Sequence, residues 1–263
     1  MATNDSLKNQ LSSKQGNQNT PSGYTIKQLM GAESVKKRFE EMLDSKASQF
    51  MASVINLVNG DTNLQKCDQM SVVSSAMVAA TLDLPIDRNL GYAWVIPYGN
   101  QATFQLGYKG YIQLALRSGQ YRNINVIEVY EGELQSFNRL TEEIELDFEK
   151  RTSDKVIGYT GFFELINGFR KTVYWSKAEI EKHKNKFSKS GFGWKNDWDA
   201  MAKKTVVRNM LNKWGILSID MQKAYVEETK DPSEPNGEVI DLNLTEDELT
   251  AAQEQFSDEN ANE

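Results

Sequence analysis

An Asn-Gly pair between two β-rich runs constrains the fold of this chain more than any other feature. Residues 158–166 and 169–175 are rich in β-branched and aromatic side chains, and Asn167-Gly168 separates them. Both central residues of a type I′ turn have positive φ, which Asn and Gly tolerate, so this pair is typical of a tight β-hairpin. Such turns join antiparallel strands. We therefore expect an antiparallel sheet in the middle of the chain.

Helices are predicted on both sides of this sheet. Apolar residues recur at helical spacing from 26 to 58, and a helix rich in small residues follows at 71–82. Further strands are predicted at 92–97, 103–109, 121–130 and 143–149. After the hairpin, a capping box at Ser176 and Glu179 opens a lysine-rich helix, a loop spans 187–196, and a long helix covers 197–214, with a shorter one from 218. The predicted class is α+β: antiparallel β-sheet and hairpins packed against a long helix, with N-terminal helices.

The formal net charge of −7 hides a division of the chain. Residues 226–263 contain thirteen acidic side chains and one basic, so residues 1–225 carry +5. Residues 1–25 are polar and are predicted to be a disordered arm, and residues 26–228 form the core. Residues 229–263 are predicted to be a mostly disordered acidic linker and tail. Within the tail, a short amphipathic helix at about 245–256 places Leu249, Ala252 and Phe256 on one face.

The residue inventory argues against most catalytic classes. The chain has one cysteine, Cys67, and one histidine, His183, which rules out an ordinary Cys/His zinc site. His183 lies between Lys182 and Lys184 and is interpreted as a surface imidazole. No GxxxxGK[ST] loop occurs. We expect no catalytic residues, no metal ligands and no required cofactor, although scattered carboxylates are compatible with an unplaced magnesium ion. No apolar run suggests a signal peptide or a membrane span.

A first basic window extends from residue 100 to 125. It contains Lys109, Arg117 and Arg122 and no acidic residue. If a helix starts at Gly110, Gln113 and Arg117 continue a polar stripe that begins with Gln105 and Lys109. Two cations and two amides suit contacts to phosphate and sugar. The alternative is an ordinary solvated face.

A second window, residues 170–213, has twelve basic side chains against four acidic ones, with aromatic residues between them. Cations combined with stacking surfaces are what sequence-neutral single-strand binding requires. In the long helix, Lys204 and Arg208 lie four residues apart in one column. Lys203 projects into the apolar arc, so it must snorkel, pair or serve a site. The alternative is that the aromatic residues fill the core and the lysines form a soluble shell.

Several long motifs resemble the RecT family of phage single-strand annealing proteins. They are LQKCDQMSV (64–72), AATLDLP (79–85), GYAWVIPY (91–98), QLGYKGYIQLALRSG (105–119), WDAMAKKTVVR (198–208) and LSI (217–219). The resemblance covers about residues 26–228. It implies ATP-independent binding of single-stranded DNA and annealing of complementary strands in phage homologous recombination. It also implies rings or helical filaments, a partner 5′–3′ exonuclease and a cytoplasmic location in a bacterial host cell.

The resemblance assigns a DNA-binding role to Lys109, Arg117, Lys203, Lys204 and Arg208. The charge pattern adds Gln105, Gln113, Arg122 and Lys213. Candidate base-stacking residues are Tyr98, Phe104, Tyr108, Tyr111 and Trp194, although strand alternation places Phe104 and Tyr108 in the core. The partners expected are single-stranded DNA, the annealed duplex and further copies of the chain.

The acidic tail has three candidate roles. It could screen the DNA groove, its helix could dock a partner such as the host single-strand-binding protein, or it could act only as a solubilising segment. Two other functions remain open for the whole chain: a metal-dependent nuclease that uses carboxylates of the middle strands, and a non-catalytic assembly factor whose basic face binds protein.

Overall fold

The computed structural model describes residues 23–188, 191–229, 245 and 247–252. The predictions for residues 1–22 and for the linker at 230–244 lie outside this part. The helices are α1 (Ile26–Gly31), α2 (Glu33–Leu43), α3 (Ala47–Asn59), α4 (Thr62–Gln65), α5 (Gln69–Thr81), α6 (Tyr108–Arg117), α7 (Lys177–Phe187), α8 (Phe192–Asn196), α9 (Trp198–Trp214) and α10 (Ile219–Thr229). The strands are β1 (Ala93–Tyr98), β2 (Gln101–Leu106), β3 (Tyr121–Tyr130), β4 (Leu134–Asn138), β5 (Glu143–Leu146), β6 (Val156–Leu165) and β7 (Arg170–Ser176).

Helix α5 contacts the β1–β2 hairpin through its small residues. The Ser75 hydroxyl donates to the Ala102 carbonyl at 3.1 Å, and the Ala102 N–H donates to the Ser71 hydroxyl at 2.7 Å. Both serines are buried, so these hydrogen bonds satisfy polar groups that would otherwise be costly to bury. The predicted small-residue helix is confirmed, and it anchors the hairpin directly.

The long helix α9 packs across a three-stranded antiparallel sheet of order β3-β6-β7. The predicted hairpin joins β6 and β7, but its turn is not type I′. Of the Asn-Gly pair only Gly168 has positive φ, at 86°, and its N–H donates to the Leu165 carbonyl at 3.0 Å, so Ile166 and Asn167 are the central residues of the turn. At Gly161 on β6, an added Cβ would lie 3.0 Å from Val206 and 3.2 Å from the Met210 sulfur of α9. Glycine therefore permits the close approach of helix and sheet. The α+β class, with hairpins against a long helix, is confirmed.

Several local predictions need correction, among them the strand predicted at 143–149, which ends at Leu146. The strand predicted to reach residue 109 ends at Leu106, and α6 begins at Tyr108 rather than at Gly110. The loop predicted at 187–196 contains the short helix α8. Strand β4, which pairs with β5 in a separate hairpin, was not predicted.

Two glycines hold the start of α6 against β1. A Cβ on Gly107 would lie 2.1 Å from the Gly91 carbonyl oxygen, and one on Gly110 would lie 2.2 Å from that of Tyr92. Contact this close is open only to a residue without a Cβ. It places Lys109, in the first turn of α6, beside the hairpin. Among the helices described, none is long and apolar enough to cross a bilayer.

Candidate nucleic-acid interface

Two adjoining clefts lie along α9. The first, here the α9 cleft, has a volume of about 870 Å³ and is lined by α9, α7 and the end of α10. The second, the hairpin cleft, has a volume of about 410 Å³ and lies between the β1–β2 hairpin, the start of α6 and the first half of α9. Both are lined by Tyr98, Gln105, Trp194 and Lys204, so they form one continuous depression.

Lys109 and Lys203 line the hairpin cleft but differ in their surroundings. Lys109 is exposed and has no ion-pair partner in the described part of the chain. Lys203 is paired with Glu128 of β3 at 2.6 Å, and its ammonium lies 5.4 Å from the Tyr108 ring centre. Burial alone would lower the pKa of Lys203, but Glu128 outweighs burial and raises it. Lys203 therefore stays charged, with a carboxylate beside it.

Lys204 and Arg208 meet at one buried carboxylate, that of Glu228 on α10. Lys204 forms an ion pair with one Glu228 oxygen, and Arg208 Nε lies 3.6 Å from the other. The Glu228 side chain is 2% exposed. Burial by itself raises its pKa, but the two cations and a hydrogen bond from Tyr111 outweigh burial and hold the pKa below its usual value. Glu228 is therefore ionised at neutral pH.

The Tyr111 hydroxyl completes this cluster. It donates to Glu228 at 2.5 Å, and the ring is buried in the core. Burial, followed by the Glu228 charge, raises the pKa of Tyr111, so the hydroxyl keeps its proton. Since the ring is 1% exposed, the structure places Tyr111 as a hydrogen-bond donor rather than as a surface on which a base can stack.

Aromatic rings line the wall of the α9 cleft. Trp194 is buried, with its ring centre 5.0 Å from that of Trp198. Phe187 is exposed and lies 4.7 Å from the His183 ring. His183 is half-buried between Phe187 and Trp175, so it is not the solvated imidazole that the sequence suggested. Burial, assisted by nearby cations, lowers its pKa.

The structure does not bring all predicted residues into the clefts. Arg117 donates to the Leu82 carbonyl at 2.7 Å and to the Asp83 carbonyl at 2.8 Å, and so caps the C-terminus of α5. Arg122 pairs with Glu164 at 3.3 Å. The polar stripe is therefore interrupted, with Lys109 at the cleft and Arg117 at α5. Two further residues lie elsewhere: Gln113 lines neither cleft, and Phe104 is in the core. The last DNA-binding candidate, Lys213, lines the α9 cleft.

Sequence reasoning misses Glu228, because it lies with Glu227 at the start of a long acidic run. One signal was available. Met221, Ala224 and Glu228 follow helical spacing, and the two apolar members are buried. Their register places Glu228 on the inner face of α10. Position along a helix face, rather than local net charge, identifies it as a cleft residue.

Part of the acidic tail is described, and it contacts the core. Residues 247–252 are helical, within the predicted tail helix, and the Glu248 N–H donates to the Thr245 hydroxyl at 3.3 Å. Leu249 and Ala252 are buried, and Ser34 of α2 donates to Glu248 at 3.1 Å. The apolar face is thus covered by the chain itself in this structure. Phe256 lies outside the described residues.

No group of three or more His, Cys, Asp or Glu side chains suited to hold a metal occurs in the described part of the chain. Four carboxylates in or beside the clefts have partners: Glu128 pairs with Lys203, Glu228 pairs with Lys204, Asp199 accepts from the Tyr159 hydroxyl at 2.5 Å, and Asp197 accepts from the Ala200 N–H at 2.9 Å. Magnesium therefore has no assigned place among these residues.

Comparison with known proteins places these features in a family. Residues 48–241 match the model of the RecT family. The chain is 67% identical over 231 residues to the uncharacterized protein YqaK of Bacillus subtilis, covering 87% of this chain and 81% of that protein. It is 30% identical over 180 residues to Protein RecT of Escherichia coli, covering 64% of this chain and 66% of that protein. The chain therefore belongs to the RecT family.

Proposed function

We propose that this protein binds single-stranded DNA along the α9 and hairpin clefts and anneals complementary strands without ATP. Membership of the RecT family supports a role in recombination and strand annealing, and suggests DNA binding and oligomerisation. In this proposal the chain works as a ring or helical filament of identical subunits, and it performs no covalent chemistry.

The observation that carries the proposal is the continuity of the two clefts. The cations that line the depression come from three helices and one loop: Lys109 from α6, Lys184 from α7, Lys203, Lys204, Arg208 and Lys213 from α9, and Arg88 from the segment before β1. Gln105, between the clefts, accepts a hydrogen bond from Lys204 at 2.9 Å. A cleft lined by ammonium, guanidinium and amide groups suits a sugar-phosphate backbone, whose contacts need donors and positive charge but no base-reading geometry.

The mechanism we propose is physical. Cations hold the backbone of one strand, and its bases face outward and stay unpaired. Tyr98, Tyr108 and Phe187 line the clefts as accessible aromatic surfaces for transient stacking, whereas Trp194, which also lines them, is buried. A second strand then samples registers, and matched base pairs supply the free energy. Neighbouring subunits extend the bound strand, and the annealed duplex is the product.

Two experiments test this proposal. Two complementary oligonucleotides, mixed with the protein and no ATP, should anneal faster than without protein, while a non-complementary pair should not. In parallel, Lys109→Ala should weaken binding of mixed-sequence single strands roughly tenfold, because a charge-assisted hydrogen bond contributes about 1.5 kcal/mol. Its plot of log affinity against log salt should be shallower by about 0.7, the value for one phosphate contact on a single strand.

Lys37→Ala is the matched control, because Lys37 is exposed on α2 and lines neither cleft. Wild-type affinity and salt slope in Lys109→Ala, or equal losses in both variants, would overturn the assignment of the cleft. Degradation of labelled strands in the presence of magnesium would instead indicate the nuclease alternative. Failure to bind DNA would leave the protein-assembly alternative.

We also propose a phage 5′–3′ exonuclease and the host single-strand-binding protein as partners, with the acidic tail as the docking segment. Deleting residues 230–263 tests the tail while it keeps α10 and Glu228 in place. We expect annealing of naked strands to persist and annealing of strands coated with single-strand-binding protein to fall. Equal activity on both substrates would contradict the docking role.

A further inference from the structure

The buried carboxylate of Glu228 lies among four donors from three elements. One oxygen accepts from the Leu106 backbone N–H at 3.2 Å and pairs with the Lys204 ammonium. The other accepts from the Tyr111 hydroxyl at 2.5 Å and lies 3.6 Å from Arg208 Nε. A backbone N–H, a hydroxyl, an ammonium and a guanidinium are the groups that proteins use to bind phosphate oxygens. The cluster has the donor set of a phosphate site, with a carboxylate in it.

Helix α10, which contains Glu228, is held against the core by few apolar contacts. Met221 and Ala224 are its buried apolar residues, whereas Ile219 and Val226 are 71% and 55% exposed. A helix with so little apolar burial depends strongly on the polar contacts at its end. The Glu228 cluster is therefore a main attachment of α10 to the core.

Exchange of one anion for another is the least costly way to open this cluster. The Lys204 side chain is 11% exposed, so removing Glu228 without replacement would leave a largely buried cation unpaired. A phosphodiester group carries one negative charge on two terminal oxygens, as the carboxylate does. It can therefore take over both oxygen positions without leaving either cation uncompensated.

We propose that Glu228 is an internal competitor of the DNA backbone: it occupies a phosphodiester site in the free protein and leaves that site, together with the end of α10, when a single strand binds. This inference rests on the proposed function, since it assumes that DNA enters the cleft. It assigns Lys204, Arg208, Tyr111 and the Leu106 N–H to one phosphate position.

Competition of this kind favours long strands over isolated nucleotides. Glu228 is tethered, so its effective concentration at the site is high, and a single phosphate competes poorly with it. A strand that also contacts Lys109 brings its next phosphates to the site as tethered groups themselves. A polyanion can therefore displace the Glu228 carboxylate from the site, whereas a mononucleotide cannot.

The test compares Glu228→Gln with wild type and with Asp220→Asn. Asp220 is exposed in the first turn of the same helix, so its variant removes the same charge outside the cluster. The amide keeps the shape of the glutamate and loses its charge. We expect Glu228→Gln to bind a mixed-sequence single strand about fivefold or more tightly than Asp220→Asn, the lower end of usual coupling between competing ligands. Equal or weaker binding would overturn the inference.

Hydrogen exchange on the unmodified protein gives a second readout, which does not depend on the folding of a variant. Saturating single strand should accelerate exchange of the backbone amides in residues 219–229. Unchanged or slower exchange there would overturn the inference even with DNA bound. Failure of the proposed function would give a different result. Wild type would then bind no single-stranded DNA, and both proposals would be wrong.

Discussion

Replacement of Gly110 by alanine tests the close contact between α6 and β1. The added Cβ would lie 2.2 Å from the Tyr92 carbonyl oxygen and 2.7 Å from a Leu106 methyl carbon. The backbone oxygen must therefore move by about 1 Å, because ordinary contacts to a Cβ begin near 3.4 Å. Overpacking typically costs about 1–3 kcal/mol, and we take about 3 kcal/mol here because the obstructing atom is a backbone oxygen. Alanine regains about 1 kcal/mol through its helix propensity.

The net loss expected for Gly110→Ala is thus about 2 kcal/mol, which lowers Tm by roughly 4–8 °C for a domain of this size. The assay is thermal unfolding followed by circular dichroism. Gly60→Ala is the control, because Gly60 has φ of −85° and its nearest contact to an added Cβ is 3.4 Å. A Gly110→Ala protein that melts together with wild type and Gly60→Ala would refute the reasoning. The folded fraction should also bind DNA more weakly, since Lys109 moves with this turn.

Three further predictions concern residues outside the proposed phosphate site. Arg117→Ala should lower the free energy of unfolding by about 1–3 kcal/mol through loss of two hydrogen bonds to carbonyls, and it should leave DNA affinity unchanged. A loss of DNA affinity in the folded variant would show that Arg117 contacts DNA after all. Because the pKa of His183 lies below 6.5 in the folded chain, the unfolded chain binds more protons just below pH 6.5, and stability falls there as pH falls. His183→Gln should flatten Tm between pH 7.5 and 5.5, and a Tm profile as steep as that of wild type would contradict this account. Leu249→Asp should release residues 247–252 from the core and make them sensitive to protease, because about 1.5–3 kcal/mol of apolar burial is lost. Wild-type protease resistance in this variant would show that burial of Leu249 does not hold the segment on the core.

Features of the fold set by short-range chemistry were predictable from the sequence. At the β6–β7 turn Gly168 supplies the positive φ, and the capping box of Ser176 and Glu179 forms within three residues. Strand β3 was predicted with its observed bounds. The start of α6 was missed because its cap is Gly107, which offers no side-chain hydrogen bond to recognise. The first turn instead depends on contact with β1, which the local sequence does not encode.

The cleft was harder to predict because charge patterns do not identify partners. Arg117 was placed in a DNA-binding stripe by its neighbours, but its hydrogen bonds go to carbonyls 34 and 35 residues earlier. Glu228 was counted with an acidic tail, yet its partner Tyr111 is 117 residues away. The two windows of net charge do contain α9 and the start of α6, which line the clefts. Which cations are free and which are paired follows only from tertiary contacts.

The long separation between Tyr111 and Glu228 also affects how the protein is made. At about 5–20 residues per second, the ribosome needs roughly 6–23 s to synthesise the chain between these two residues. During that interval the β1–β2 hairpin and α6 have left the peptidyl-transferase centre, while the carboxylate that closes the cleft does not yet exist. Lys204 and Arg208 are themselves synthesised before Glu228. Glu228 follows Lys204 and Arg208 by only 24 and 20 residues, so the two cations and their carboxylate are made almost together. The Leu106 N–H and the Tyr111 hydroxyl, in contrast, wait for most of that interval without their acceptor.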